Sequence, residues 1–141
     1  MERAVLLYTT WPSIVEAEKA GREIVSRRLA ACVNILPGMV SHYWWKGAIE
    51  RADEAVMMVK TRASLAEAAS AAVKELHSYE TPAIMVLPVE DVDPAYQRWI
   101  VEETQPRKLA AAAAKGLRPV PQGQADAVQF ILEAHASGRQ Q

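Results

Sequence analysis

The chain opens with an apolar run from Arg3 to Thr10, rich in β-branched and aromatic residues, that stops at Trp11-Pro12. A short run of this kind, bounded by a proline, predicts a buried strand. The period then changes. Ile14, Ala17, Gly21, Ile24, Val25 and Leu29 recur at helical spacing, with Glu16, Lys19, Arg22, Glu23 and Arg27 on the other side. Ser13 stands before them as an N-cap, and Glu16 three residues on completes a capping-box pattern. An amphipathic helix of about four turns is expected.

From Ala31 to Trp45 the texture turns to strand, with Val33, Ile35, Val40, Tyr43, Trp44 and Trp45. Pro37-Gly38 interrupts it and cannot continue a regular ladder, which predicts one long strand in two segments with a bend or bulge between them. Lys46-Gly47 predicts a turn. Ala48 to Arg62 returns as a second long strand, most buried from Ala55 to Val59. The two form a hairpin that overhangs its own sheet. Ser64, with Glu67 three residues later, predicts the cap of a second helix whose inner face is Leu65, Ala68, Ala69, Ala72, Val73 and Leu76. Tyr79 to Val89 reads as a fourth strand and Pro94 to Glu103 as a short helix. The order is βαββαβ, the split βαβ arrangement of an α+β, ferredoxin-like domain.

This domain occupies residues 1–104. Residues 105–141 read as an appendage: an alanine run from Leu109 to Lys115, a Pro/Gly connector from Gly116 to Gly123, and a stretch from Ala125 to Ala136. Short alanine-rich helices are marginal alone in water, so this extension is expected to be partly helical or mobile.

Composition narrows the partners. Half of the 141 residues are hydrophobic and 23% are charged, an ordinary globular balance. The formal net charge is -1, so no basic excess exists to neutralise phosphates and no nucleic-acid partner is expected. The single cysteine, Cys32, excludes an intramolecular disulfide and fits a reducing cytosol. The first apolar run is too short for a signal-peptide core, and no stretch approaches the roughly 18 apolar residues that span a bilayer. A cytoplasmic protein without a membrane partner is expected.

There is no Gly-rich phosphate loop, nucleophile elbow, HExxH or CxxC. His42, His77 and His135 fall in three different elements, so nothing in the sequence encourages catalysis, and no enzyme is expected. Cys32, where a helix hands over to a strand, reads either as a small buried hydrophobe or as a soft ligand suited to Cu(I). His77 reads either as a partner of the second helix's C-terminal dipole or as an imidazole ligand. Tyr43, Trp44, Trp45 and Glu50 flank the hairpin turn. Adjacent tryptophans in a strand point to opposite faces, so one of them needs a second surface, which points to a subunit contact. Lys60 and Glu80 are charged groups at strand ends, either pocket residues or solvated surface.

At this point the residues match a pattern. Arg28-Leu29-Ala30-Ala31-Cys32-Val33-Asn34, then Pro37-Gly38, resembles the first signature of the CutA family, the divalent-cation tolerance proteins. Ser41-x-Tyr43-x-Trp45-x-Gly47-x-x-Glu50 is similar to its hairpin signature, and Lys60-Thr61, His77-x-Tyr79-Glu80-Thr81-Pro82 and Tyr96-x-x-Trp99 follow in the family's order. The resemblance covers about residues 4 to 102. It implies a ferredoxin-like fold and a homotrimer in which long strands of neighbouring subunits pair, in a manner similar to the PII signalling proteins. It implies a role in tolerance to divalent metals, copper above all, without an established reaction. It associates Cys32, Tyr43, Trp45, Glu50, Lys60, His77, Tyr79 and Glu80 with a cleft between subunits. Copper ligands proposed in the family include a cysteine at the end of the first strand and two adjacent histidines. The corresponding positions here are Tyr8 and Leu76-His77, and Ser78 stands where the family often has proline. Weak binding of copper or another divalent cation through Cys32 and His77 is the expectation that follows. Two alternatives stand beside it. One is a PII-like module that binds a small molecule in the cleft with Lys60 as positive anchor. The other is a docking scaffold with Leu109 to Gln141 as its handle.

Overall fold

Ala4–Trp11 forms β1, and its alternation decides which face of the sheet is covered. Leu7, Thr9 and Trp11 are wholly inaccessible, as are Met57 and Val59 on the neighbouring strand, while Leu6 and Tyr8 between them are only half-buried. Residues two apart share a face, so one side of the sheet carries the core and the other is only partly covered. The computed structural model describes residues 2–106, and the part of the chain read as a C-terminal extension lies outside the described residues apart from Gln105 and Pro106.

The elements follow the expected order. After β1 come α1 (Ile14–Ser26), β2 (Cys32–Trp45), β3 (Ala48–Arg62), α2 (Ala66–Leu76), β4 (Ile84–Pro88) and α3 (Pro94–Glu103). The strands lie in the order β2-β3-β1-β4, every neighbouring pair antiparallel. Both α1 and α2 pack on the covered face, where Ala17, Ala20, Ile24, Ala69, Ala72 and Val73 join Leu7, Trp11, Met57 and Val59 in one core. The helix α3 packs on β3 and β1 from the other side, on the face that carries Lys60.

Gly21 is where α1 approaches the sheet most closely. A Cβ there would stand 2.8 Å from Val33 Cγ2 and 2.9 Å from Met57 Sδ. Replacing it with alanine gains about 1 kcal/mol of helix propensity. Overpacking costs about 1–3 kcal/mol, which outweighs that gain. Gly21→Ala is therefore expected to lower the melting temperature in a thermal denaturation, and an unchanged or raised midpoint would show that Val33 and Met57 yield freely.

The hairpin carries two backbone devices. Leu36 pairs with Val56 and Met39 with Glu54, so Pro37 and Gly38 together oppose Ala55 alone. That is a β-bulge, with Gly38 at φ +80°, as the Pro-Gly interruption predicts. At the tip Lys46 and Gly47 both have positive φ, +49° and +82°, the pattern of a type I′ turn. Since β1 pairs only with Ala55–Arg62, the segments Met39–Trp45 and Ala48–Glu54 project past the sheet by roughly 23 Å.

Four expectations change. The second helix is not capped by Ser64. A 3-10 turn, Ala63–Leu65, follows β3 directly, and Ser64 is used elsewhere: its N–H donates to Glu2 Oε1 and its hydroxyl accepts from Arg62. The fourth strand starts at Ile84 rather than Tyr79, because Tyr79–Ala83 is held in an irregular path. In α1 the inner face is Ala17, Ala20, Gly21 and Ile24, whereas Ile14 and Val25 are exposed. That helix ends at Ser26, short of Leu29, in a Schellman closure: Arg28 N–H donates to Val25 O and Leu29 N–H to Ile24 O. Arg28 takes the left-handed conformation usually given to glycine, at φ +61°. Its guanidinium explains the choice, since it bonds Gln105 O at 2.8 Å and Glu103 Oε2 at 3.1 Å and so fastens the end of α3.

Candidate functional site

The residues expected at a cleft fall into three groups, each placed by a different part of the hairpin or its neighbours.

The first lies at the base of the hairpin. Cys32 opens β2 opposite Lys60 of β3, and Lys60 in turn opposes Leu6 of β1. From α3, Tyr96 reaches over: Lys60 Nζ donates to its hydroxyl at 3.2 Å and stands 5.5 Å from its ring centre. Burial pushes the Cys32 thiol above its ordinary value, and the Lys60 ammonium beside it acts in the opposite sense. At neutral pH the sulfur is therefore held as a thiol, a poor nucleophile. Alkylation of Cys32 by iodoacetamide is expected to be slow at pH 7, to accelerate above the ordinary thiol range, and to slow further in Lys60→Met, where the helping charge is gone. A rate unchanged by Lys60→Met would show that the ammonium does not act on the sulfur.

The second group surrounds His77, at the C-cap of α2. His77 is buried and stacks on Trp11 with ring centres 4.1 Å apart. Its Nδ1 accepts from the backbone N–H of Tyr79 at 3.1 Å, and its Nε2 lies 2.6 Å from Thr10 O. A backbone N–H can only donate and a carbonyl only accept, so the ring is the tautomer with its proton on Nε2. Trp11 Nε1 donates to Thr9 Oγ1 and Thr9 Oγ1 to Met57 O, each at 2.8 Å, so the polar atoms beneath the stack are satisfied. Ser78 donates its N–H and its hydroxyl to Glu16 of α1, at 2.8 and 3.0 Å. A proline at 78 would make neither bond. Tyr79 packs on His77 and donates its hydroxyl to Glu54 Oε2 at 3.3 Å. Partial burial, and then the Glu54 carboxylate, raise the Tyr79 phenol, which keeps that donor protonated. Glu80 is exposed beyond it.

The third group is the overhang. Tyr43 opposes Glu50, and Trp45 opposes Ala48 across the turn. Trp44 on the reverse face is 73% exposed and its cross-strand partner Ile49 63%.

These groups do not meet within one copy. Cys32 lies at the level of Leu6, whereas His77 meets Thr10, about 13 Å further along β1, and stacks from the covered face while Cys32 shares the open face with Lys60. Cys32 and His77, the expected metal pair, thus do not converge on one ion in a single chain. No group of three or more His, Cys, Asp or Glu among the described residues is placed to hold a metal ion. The hollow bordered by Val15, Glu18, Lys19, Arg22, Glu23 and Ser26 lies on the outer side of α1, apart from all three groups. Sequence reasoning missed Glu16, Glu54 and Thr10 as partners. Only the Glu16 capping box gave a signal, and it pointed to a different role.

Fold and site together define a ferredoxin-like domain whose candidate side chains fall in three separate groups on one four-stranded sheet. Residues 5–103 match the CutA1 divalent ion tolerance protein family, so this chain belongs to that family. It is 41% identical over 98 residues to the protein CutA of Mus musculus, a match covering 70% of this chain and 55% of the mouse protein. It is 40% identical over 101 residues to the divalent-cation tolerance protein CutA of Pyrococcus horikoshii, covering 72% of this chain and 98% of that one. Among solved structures, the periplasmic divalent cation tolerance protein CutA from Archaeoglobus fulgidus superposes with a TM-score of 0.71 at 40% identity, over 72% of this chain and 99% of that chain. No helix among the described residues is long and apolar enough to cross a membrane.

Proposed function

We propose that this chain serves divalent-cation tolerance as a non-enzymatic homotrimer whose functional clefts form between copies. The observation that carries the reading is the overhanging hairpin, with Trp44, Trp45 and Ile49 exposed on a two-stranded ribbon that has no third strand to lean on. An isolated two-stranded ribbon is marginal in water, and an exposed apolar edge is a liability unless another chain covers it. A second copy laid against the overhang would bring Tyr43, Trp45 and Glu50 of one chain toward groups of another. Light scattering on the eluting full-length protein should give three times the chain mass. A monomer would end the proposal.

In this reading metal contact is weak and involves Cys32, which is half-buried and is the single cysteine of the chain. A competition titration with Cu(I) should show saturable binding that falls in Cys32→Ala. The lone cysteine supports a reducing, cytoplasmic setting, although the Archaeoglobus relative is described as periplasmic.

A second reading, a PII-like module for a small ligand, is favoured by one observation. The Lys60 side chain is half-buried, and its ammonium is bonded to a phenol rather than to a carboxylate.

A further inference from the structure

Lys60 is short of negative charge where it stands. Its Nζ donates to Tyr96 Oη, and no carboxylate of the described residues lies within ion-pair distance of it, since the ion pairs of the domain use Arg27, Arg28, Arg51 and Arg62. Asp93, the cap of α3, turns its carboxylate to the N–H groups of Ala95 and Tyr96. The cross-strand neighbours of Lys60 are Cys32 and Leu6, neither of them anionic at neutral pH. An ammonium with no carboxylate partner keeps its charge and its remaining N–H groups to offer to an anion.

Tyr96 supplies a second donor. By accepting from Nζ, its oxygen leaves the phenolic proton free to point elsewhere. Lys60 keeps two further N–H groups. Donors on two different side chains therefore lie within about 3 Å of one another, on the open face of the sheet, with no acceptor among them left unserved. Charge-assisted bonds from such a cluster are what an oxyanion uses.

We propose that Lys60 and Tyr96 form a binding site for a small oxyanion of the phosphate or carboxylate type. The proposal rests on the small-ligand reading and does not require copper binding. Strand β3 fixes the lysine stem, α3 supplies the phenol, and Cys32 and Leu6 give the site an apolar floor.

The test is equilibrium dialysis of the full-length protein with labelled inorganic phosphate and, separately, labelled acetate, with ionic strength held constant by chloride. Saturable binding of at least one of them is expected at one per chain. Lys60→Met should weaken it about tenfold or more, Lys60→Arg should keep most of it, and Tyr96→Phe should give an intermediate loss. Which of the two anions binds assigns the chemical type. Acetylation of Lys60 by an activated ester, followed by peptide mass, should slow when the bound anion is present. Absence of saturable binding by both anions, or binding that Lys60→Met leaves unchanged, would overturn the proposal. Light scattering on the same samples separates it from the assembly reading. Lost anion binding in an intact trimer supports the site. Dissociation of Lys60→Met into monomers would mean that Lys60 meets a carboxylate of another copy, and the proposal would fall while the trimer stood.

Discussion

His77→Ala is expected to destabilise the domain by about 2–4 kcal/mol, and to do so without changing copper binding. The size follows from what the ring does. It is 8% exposed and fills the space against Trp11, the largest fully buried side chain of the core. Its removal leaves a cavity beside the indole. It also leaves Thr10 O and the Tyr79 N–H, both bonded only through the ring among their described contacts, to find water or go unpaired. An orphaned buried polar group costs about 1–3 kcal/mol, and the cavity left by the ring adds about 1 kcal/mol or more, since part of the site can relax. His77→Phe separates the two, because it keeps the stack and loses both hydrogen bonds. Its midpoint in urea denaturation should lie between those of the parent and His77→Ala. The metal arm follows from the tautomer. Nε2 carries the proton and the Nδ1 lone pair is taken, so neither nitrogen can bind an ion without giving up a backbone partner. If His77→Phe kept its stability and lost copper affinity in the Cu(I) titration, the histidine would be a ligand after all and its backbone bonds secondary.

This residue also marks where sequence reading reached its limit. Element order was legible because each element carries a local signal. Ser13 caps α1 and accepts from Glu16 N–H, Pro37-Gly38 forms the bulge, and Lys46-Gly47 forms the turn. The failures are positions where tertiary partners override local chemistry. Ser64 has the spacing of an N-cap, but Glu2 and Arg62, far away in sequence or on the preceding strand, claim its polar atoms. Tyr79–Ala83 has the composition of a strand, yet His77, Glu16 and Glu54 hold its entrance, and pairing with β1 begins only at Ile84. Arg28 breaks the glycine rule for a helix end because its side chain bonds two residues 75 and 77 positions away. No local window contains those partners.

The arrangement of the expected site residues was not legible in the sequence. The motif residues are where the elements place them, but the three groups lie apart, and the length of the overhang is the reason. A hairpin that projects roughly 23 Å past its own sheet carries Tyr43, Trp45 and Glu50 away from Lys60 of the same chain. If these side chains act together, the partners must come from different copies.

That geometry makes a single charge on the open sheet face decisive. Met85→Asp is expected to convert the proposed trimer to monomers. In a lone chain Met85 is 58% exposed, and a surface substitution of that kind changes stability by at most about 0.5 kcal/mol. In an assembly that covers the open face, the same aspartate is buried unpaired, at a cost of several kcal/mol per copy. Closed symmetry repeats the penalty in every subunit. Leu36, also 58% exposed and on the same face at the opposite edge, is the independent check, and Leu36→Asp should act in the same direction. Far-ultraviolet circular dichroism should stay close to that of the parent, since neither side chain belongs to the buried core. The elution mass should fall from three chains to one. A trimer that survives both substitutions would leave this face to solvent, and assembly would then have to run through the hairpin tip alone, with Trp44 and Ile49 as the contact and the open face free for ligand.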